Sequence, residues 1–171
     1  MASPKILLEG RPGIGKTTVA RMLVEVLRTR GASVSGFTTG EIRDRGRRLG
    51  FRVESLSGPS AVLAHVDLSG PPRVGKYGVD LPAFERVVLP AITQPVGVVV
   101  IDELGRMELA SEPFRDVVSE LFDAALPIVA TVHAFAHPFT DTLKRRRDVR
   151  TIRVVQGNRD ALPDELAELV A

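Results

Sequence analysis

A short apolar run that passes straight into a glycine-rich loop and then a helix is the tightest constraint this sequence places on its fold. Lys5-Ile6-Leu7-Leu8-Glu9 has the length and character of a buried strand. Gly10-Arg11-Pro12-Gly13-Ile14-Gly15-Lys16-Thr17 then matches G-x-x-x-x-G-K-[ST] at every fixed position. Lys16 to Arg30 follows with apolar residues at helical spacing: Val19, Met22, Leu23, Val26 and Leu27. Glycines let such a loop fold tightly, so that several N–H groups point inward at phosphate oxygens, and the helix adds the positive end of its dipole. In that setting Lys16 reaches for β- and γ-phosphates, and the Thr17 hydroxyl is a ligand for Mg²⁺.

The rest of the chain alternates strand and helix. Gly31 stands where a helix C-terminal cap belongs. Ser33 to Thr39 and Leu49 to Glu54 are β-forming stretches around the polar turn Arg45-Gly46-Arg47, which predicts a hairpin. Ser57 to Val79 is broken by Gly and Pro and is expected as loop-rich surface. Leu81 to Ile92 reads as helix up to Pro90, and Val96 to Ile101 is an almost unbroken valine run, the pattern of a central strand buried on both faces. Helices are expected at Pro113 to Ala124, Pro138 to Arg147 and Asp160 to Val170, with strands at Pro127 to Val132 and Arg150 to Val155. The prediction is an α/β fold in three layers, a mainly parallel central sheet with helices on both faces and an added β-hairpin, in one domain over residues 1–171.

In-line phosphoryl transfer also needs an anionic anchor for the metal and a group to orient the nucleophile. Asp102 closes the run Val98-Val99-Val100-Ile101, at the carboxyl end of a strand where open α/β sheets place their ligands, and is the second candidate metal ligand. Glu103 leaves the strand in another direction and is the candidate general base for an attacking water. Either acid alone is an ordinary strand-end charge; beside a complete phosphate loop the pair gains meaning.

Composition narrows the function classes. The 171 residues suit one domain of about 100 to 200 residues. With no cysteine there is no disulfide framework, thiolate metal site or cysteine nucleophile. No stretch approaches the roughly 18 apolar residues of a membrane span, and the N-terminus lacks a secretory h-region, so a cytoplasmic location is expected. The 23 basic and 21 acidic residues nearly cancel, which with 5% aromatic content argues against a nucleic-acid partner. Nothing points to an obligate protein partner.

The motif blocks together carry a resemblance. Gly10 to Thr18, Gly36 to Arg43, Gly46 to Phe51, Val74 to Asp80, Asp102 to Leu109, Ala130 to His133 and Asn158 to Asp160 are similar, in register from about residue 5 to the end, to a small nucleoside-triphosphatase family of P-loop proteins. That family includes the cancer-related nucleoside-triphosphatase and thermophilic microbial relatives. The resemblance implies Mg²⁺-dependent hydrolysis of ATP, GTP, CTP, UTP and TTP to diphosphates. It extends the nucleotide-binding stretches over Arg11 to Thr18, adding Thr18, and over Val99, Val100, Ile101, Asp102, Glu103, Leu104, Gly105 and Arg106. Arg106 stands where relatives often carry Lys, which exchanges a point charge for a planar fork. Thr39-Gly40 precedes Glu41 where several relatives have Glu, which leaves a role open for Glu41 and none for Gly40.

Several residues keep two readings. Arg106 either stabilises charge at the γ-phosphate, as a third catalytic residue beside Lys16 and Glu103, or pairs with Glu108 or Glu112. His133 either senses that phosphate or bonds within its loop. Asn158 and Arg159 lie where such folds hold the base, although Asn158 equally suits a helix cap. Tyr77 either stacks on a base or sugar or packs a loop, and Lys144 to Arg147 form either a cationic lid or a solvated face. The rival activity is a P-loop kinase that transfers the γ-phosphate to a nucleoside or other small-molecule acceptor. A guanine-reading switch needs N-K-x-D, and the only asparagine, Asn158, lies in Asn158-Arg159-Asp160.

Overall fold

Alternate residues of the buried strands feed two separate cores. The computed structural model describes residues 2–171. The elements run β1 (Lys5–Glu9), α1 (Lys16–Thr29), β2 (Val34–Asp44), β3 (Arg47–Ser55), β4 (Ser60–His65), β5 (Arg73–Val74), β6 (Tyr77–Val79), α2 (Leu81–Thr93) and β7 (Val98–Leu104). A single 3-10 turn (Glu108–Ala110) follows, then α3 (Glu112–Asp123), β8 (Ile128–Val132), α4 (Pro138–Lys144), β9 (Val149–Arg153) and α5 (Leu162–Val170). The nine strands form one sheet in the order β5-β6-β4-β3-β2-β7-β8-β1-β9.

Ile6, Leu8, Val98, Val100 and Val129 point to one face and pack under Leu23 and Leu27 of α1 and Leu166 of α5. Leu7, Val99, Ile101, Ile128 and Ala130 point to the other, against α2 and α3. There Phe37, Phe84 and Phe114 meet edge to face, with centroids 5.1 to 6.0 Å apart. Strands buried on both faces have no polar side to show, which is why Val98 to Ile101 is continuous valine and isoleucine.

Strands β2, β7, β8, β1 and β9 pair in parallel, as expected. The hairpin of β2 and β3 also forms, closed by Arg45 and Gly46 at positive φ, but it belongs to a larger antiparallel wing. Residues 57–79, expected as loop, supply β4, β5 and β6 to that wing. The pairing of Ala61 with Val53 and of Ala64 with Phe51 comes from β3, a neighbour that local composition cannot register. Pro90 does not end α2, which runs on to Thr93 because Phe84, Val88 and Ile92 are wholly buried on both sides of it. That burial outweighs the local cost of proline, about 3 kcal/mol. β7 likewise continues past Asp102 to Leu104, with its register to β8 shifting between Ile101 and Leu104. α4 stops at Lys144, short of the expected Arg147, where Arg146 turns back to Asp123, Asp148 and the Phe122 carbonyl.

Helix starts follow capping chemistry. Asp80 accepts from the Ala83 amide at 3.0 Å, Ser111 from Phe114 at 3.2 Å and His137 Nδ1 from Phe139 at 3.1 Å, each just ahead of a proline in the first turn. Among the described residues no helix is long and apolar enough to cross a membrane.

Candidate phosphate and catalytic site

Because β8 lies between β1 and β7, the loop after β1, the end of β8 and Asp102 on β7 come out side by side at one edge of the sheet. The loop's tight path rests on Gly13 and Gly15, at φ 79° and 112°, where a side chain would be strained. Gly15 immediately precedes α1, so the first-turn amides of that helix face the loop. Lys16 is buried and folds back, its Nζ donating to the Gly10 carbonyl at 2.5 Å. Such an ammonium is held over the loop it would serve.

Asp102 is wholly buried, and four donors close on it. The Thr131 hydroxyl donates to Oδ1 at 2.7 Å and that of Thr17 at 3.2 Å, while the Thr39 amide and hydroxyl donate to Oδ2 at 3.3 and 3.4 Å. The threonines come from β8, α1 and β2. Arg21 fixes the third of them by donating to the Thr39 carbonyl at 2.9 Å. Burial raises the Asp102 pKa, opposed by the hydrogen bonds from Thr131, Thr39 and Thr17.

Glu103 is half-buried next to it, its pKa raised by desolvation and by the Asp102 charge, with Lys16 pulling the other way. A third carboxylate, which the sequence reading treated only as an ion-pair partner, joins them. A Cβ placed on Gly105 would lie 2.8 Å from Glu103 Oε1 and 2.9 Å from Glu108 Oε2, so those two oxygens are less than about 6 Å apart. A side chain at 105 would push both carboxylates aside. Glu108 is buried, and its pKa stands well above the ordinary carboxylate value through desolvation and the facing Glu103. A reader of sequence has one signal for this, the short spacing Glu103-x-Gly105-x-x-Glu108 around a glycine.

Other expectations resolve differently. Arg106 makes no ion pair with Glu108 or Glu112; its Cζ lies 4.0 Å from the centroid of Phe135. Phe135 in turn stacks on His133, with centroids 3.5 Å apart and planes at 13°. His133 is 5% exposed, and neither ring nitrogen has a partner of full hydrogen-bond geometry, although the backbone of Phe135 in the same loop still favours its protonated form. Tyr77 packs, its hydroxyl accepting from Arg48 Nε at 3.0 Å and its ring edge-on to Phe51. Glu41 accepts from Arg43 and Arg48 on the wing. Lys144 pairs with Glu9 at 2.8 Å, and Arg146 with Asp123 and Asp148, so these two brace α4 and form no lid. Asn158 caps no helix: its Oδ1 accepts from Val155 and its Nδ2 donates to the carbonyl of Arg153, the last residue of β9. Arg159 donates to the Ile14 carbonyl at 3.0 Å and so braces the phosphate loop. The side chains of Val99, Val100, Ile101 and Leu104 are wholly buried in the sheet and carry the strand that presents Asp102.

Burial first, then the neighbouring His137, Lys144 and Arg106, lower the His133 pKa from 6.5 to about 4, with the Phe135 backbone acting the other way. The unfolded chain takes up this proton near pH 6.5 and the folded chain only near 4, so the stability His133 supplies is present above 6.5 and lost as pH falls between them. The displacement corresponds to about 3 kcal/mol at most. A His133→Phe variant is expected to gain stability relative to the parent as pH drops from 7 to 4, read by urea melts; parallel pH profiles would refute the assignment.

Two concavities flank the site. One of about 480 Å³ lies between α1 and the wing, lined by Arg21, Met22, Arg28 and Glu54, and contains no residue of the Gly10–Thr17 loop. The other, about 360 Å³, runs along the loop itself, lined by Gly10, Arg11 and Ile14 on one side and by Ala134 and Arg153 to Gln156 on the other. The second adjoins the loop directly.

Comparison with known proteins agrees with this geometry. A family model described as NTPase matches residues 5–167. The chain belongs to this NTPase family. The nucleoside-triphosphatase THEP1 of Thermotoga sp. (strain RQ2) is 39% identical over 169 residues, covering 97% of this chain and 95% of the relative. The crystal structure of THEP1 from the hyperthermophile Aquifex aeolicus superposes with a TM-score of 0.83 at 31% identity, over 96% of this chain and 98% of the other. The solution structure of a human cancer-related nucleoside triphosphatase gives 0.82 at 36% identity, over 97% and 96%. As an NTPase-family enzyme, the chain has the α/β architecture of these neighbours over nearly its whole length.

Proposed function

We propose that this protein hydrolyses nucleoside 5'-triphosphates to diphosphate and phosphate, with Mg²⁺ and with loose base preference. The observation that carries the reading is the junction at Asp102. One wholly buried carboxylate is hydrogen-bonded to the threonine that follows the loop lysine, with a second carboxylate, Glu103, beside it.

The donor set fits Mg²⁺, which takes oxygen ligands and is commonly bound by one or two carboxylates together with substrate phosphates. Among the described residues no three His, Cys, Asp or Glu side chains gather as ligands for one ion. The Thr17 hydroxyl and Asp102 would hold the ion, and its chemistry there is to neutralise charge across the β- and γ-phosphates. The loop amides and Lys16 bind the phosphates, Lys16 exchanging the Gly10 carbonyl for a phosphate oxygen. Glu103 accepts a proton from the attacking water and aligns it with the γ-phosphorus. Glu108, buried across Gly105 from it, limits how far Glu103 can swing. Arg106 adds charge to the transferring phosphoryl group.

Loose base preference follows from the cavity beside the loop. Ala134, Val154 and Val155 give it apolar walls, and the Asn158 amide, the candidate reader of a base edge, is committed to the backbone of Arg153 and Val155. Phosphate release from each common nucleoside triphosphate, with Mg²⁺ and no acceptor, tests the whole reading. ATP and GTP should agree in kcat/KM within about one order of magnitude, equivalent to about 1.4 kcal/mol. Turnover that appears only when an acceptor hydroxyl is supplied would make the protein a kinase instead.

The metal assignment has its own test. Thr17→Ala and Asp102→Asn should each raise the Mg²⁺ concentration for half-maximal rate, because each removes an oxygen donor. If both variants titrate like the parent, the ion is held elsewhere.

A further inference from the structure

Arg106, Phe135 and His133 form a three-layer column at the ends of β7 and β8. The guanidinium lies on one face of the Phe135 ring at 4.0 Å, and His133 covers the other face at 3.5 Å, nearly parallel. The base of the column is fixed, since His133 is 5% exposed, and its top is free, since Arg106 is exposed and has no ion pair. Phe135 itself is 38% exposed, so core packing does not explain an aromatic ring there. The column stands next to the catalytic carboxylates: Arg106 follows Glu103 by three residues, and His133 follows Thr131, which donates to Asp102.

A planar guanidinium stacks on an aromatic face in a way that an ammonium does not, and the contact limits the directions in which a long side chain can point. His133 can serve as the base because it stays neutral, its pKa lying near 4, and so does not repel the cation above. We propose that Phe135 is a positioning residue for Arg106, holding the guanidinium at the mouth of the site so that it meets the terminal phosphate of a bound nucleoside triphosphate. This deepens the proposed hydrolysis and rests on it: the phosphate in question is the one between Lys16 and Glu103. The arrangement also gives the arginine at position 106 a purpose. With Phe135 as its seat, a fork has a fixed direction where a lysine would sweep freely.

The test is a double-mutant cycle on the full chain with Phe135→Leu, Arg106→Ala and the pair, plus Phe135→Tyr as the conservative variant. Steady-state kcat and KM for ATP are measured, and ATP and ADP affinities are titrated separately, so that one readout does not need turnover. Phe135→Leu should lower kcat on the order of fivefold with KM nearly unchanged, and should lower the preference for ATP over ADP by a similar factor. Phe135→Tyr should restore both. In the Arg106→Ala background Phe135→Leu should cost nothing further. Equal losses from Phe135→Leu with and without Arg106, or no loss at all, would overturn the proposal. A parent chain that releases no phosphate from any nucleotide would overturn the hydrolase reading instead, and the cycle in ATP-over-ADP preference would still decide the role of Phe135.

Discussion

Lys16→Ala should reduce phosphate release from every nucleoside triphosphate by at least about 10² to 10³, the loss seen when a preorganised charge donor is removed from a transition state. The side chain is 8% exposed and bends over the loop to the Gly10 carbonyl, so its place is set before any nucleotide arrives. A cation aimed in advance at the bridging oxygens stabilises charge as it develops, with no reorganisation at the moment of reaction. Removing it also leaves the Gly10 carbonyl without its partner, so thermal melts must accompany the kinetics. A variant that folds like the parent and keeps parental turnover would rule out the phosphate-loop assignment. Lys16→Arg should not rescue, because a fork cannot fill the space of a point charge beneath the loop.

Glu103→Gln separates chemistry from binding. The expected loss in kcat is about 10² to 10⁴, the range for removal of a general base, with nucleotide affinity little changed. Lys16, the loop amides and Mg²⁺ still hold the phosphates, so only the water loses its acceptor. The facing Glu108 sharpens the expectation. Burial and then the Glu103 charge raise the Glu108 pKa, so neutral Gln at 103 should lower it in part, with burial still holding it up, while leaving turnover low. Affinity titrations and single-turnover phosphate release on one preparation decide the matter. Affinity lost in step with rate would make Glu103 a structural group, and hydrolysis undiminished would place the base elsewhere.

Much of this was legible before any coordinates. Gly10 to Thr17 is read from sequence because the phosphate loop is local: every group in it belongs to one strand, one turn and one helix end. Asp102 and Glu103 are legible because a valine run has to end somewhere, and acids at its end are conspicuous. The donors that hold Asp102 are not. Thr39 and Thr131 are ordinary strand residues whose meaning comes from β2 and β8 lying on either side of β7, a fact of sheet order. Phe135 is equally silent in sequence, since an aromatic in a loop declares nothing until Arg106 is found on its face. Strands β4 to β6 were missed for a related reason: short segments rich in Gly and Pro become strands only when a neighbouring edge recruits them. The family resemblance supplied the activity class; composition and periodicity alone reach only a phosphate-binding α/β domain.

The three threonines around Asp102 have a consequence for how the molecule comes apart. They tie the first turn of α1, the central strand β8 and the inner strand of the antiparallel wing to a single carboxylate, so this knot is where the two halves of the sheet are fastened at their functional edge. A wing so fastened cannot peel from the parallel half while the knot holds, and opening the knot exposes the catalytic edge at the same instant. If nucleotide binds only the folded chain at this edge, it should hold the knot closed, adding about 2.7 kcal/mol when present at a hundredfold excess over Kd. Heat resistance and occupancy should then rise together, with amide exchange at Thr39, whose N–H donates to Asp102, as the gauge.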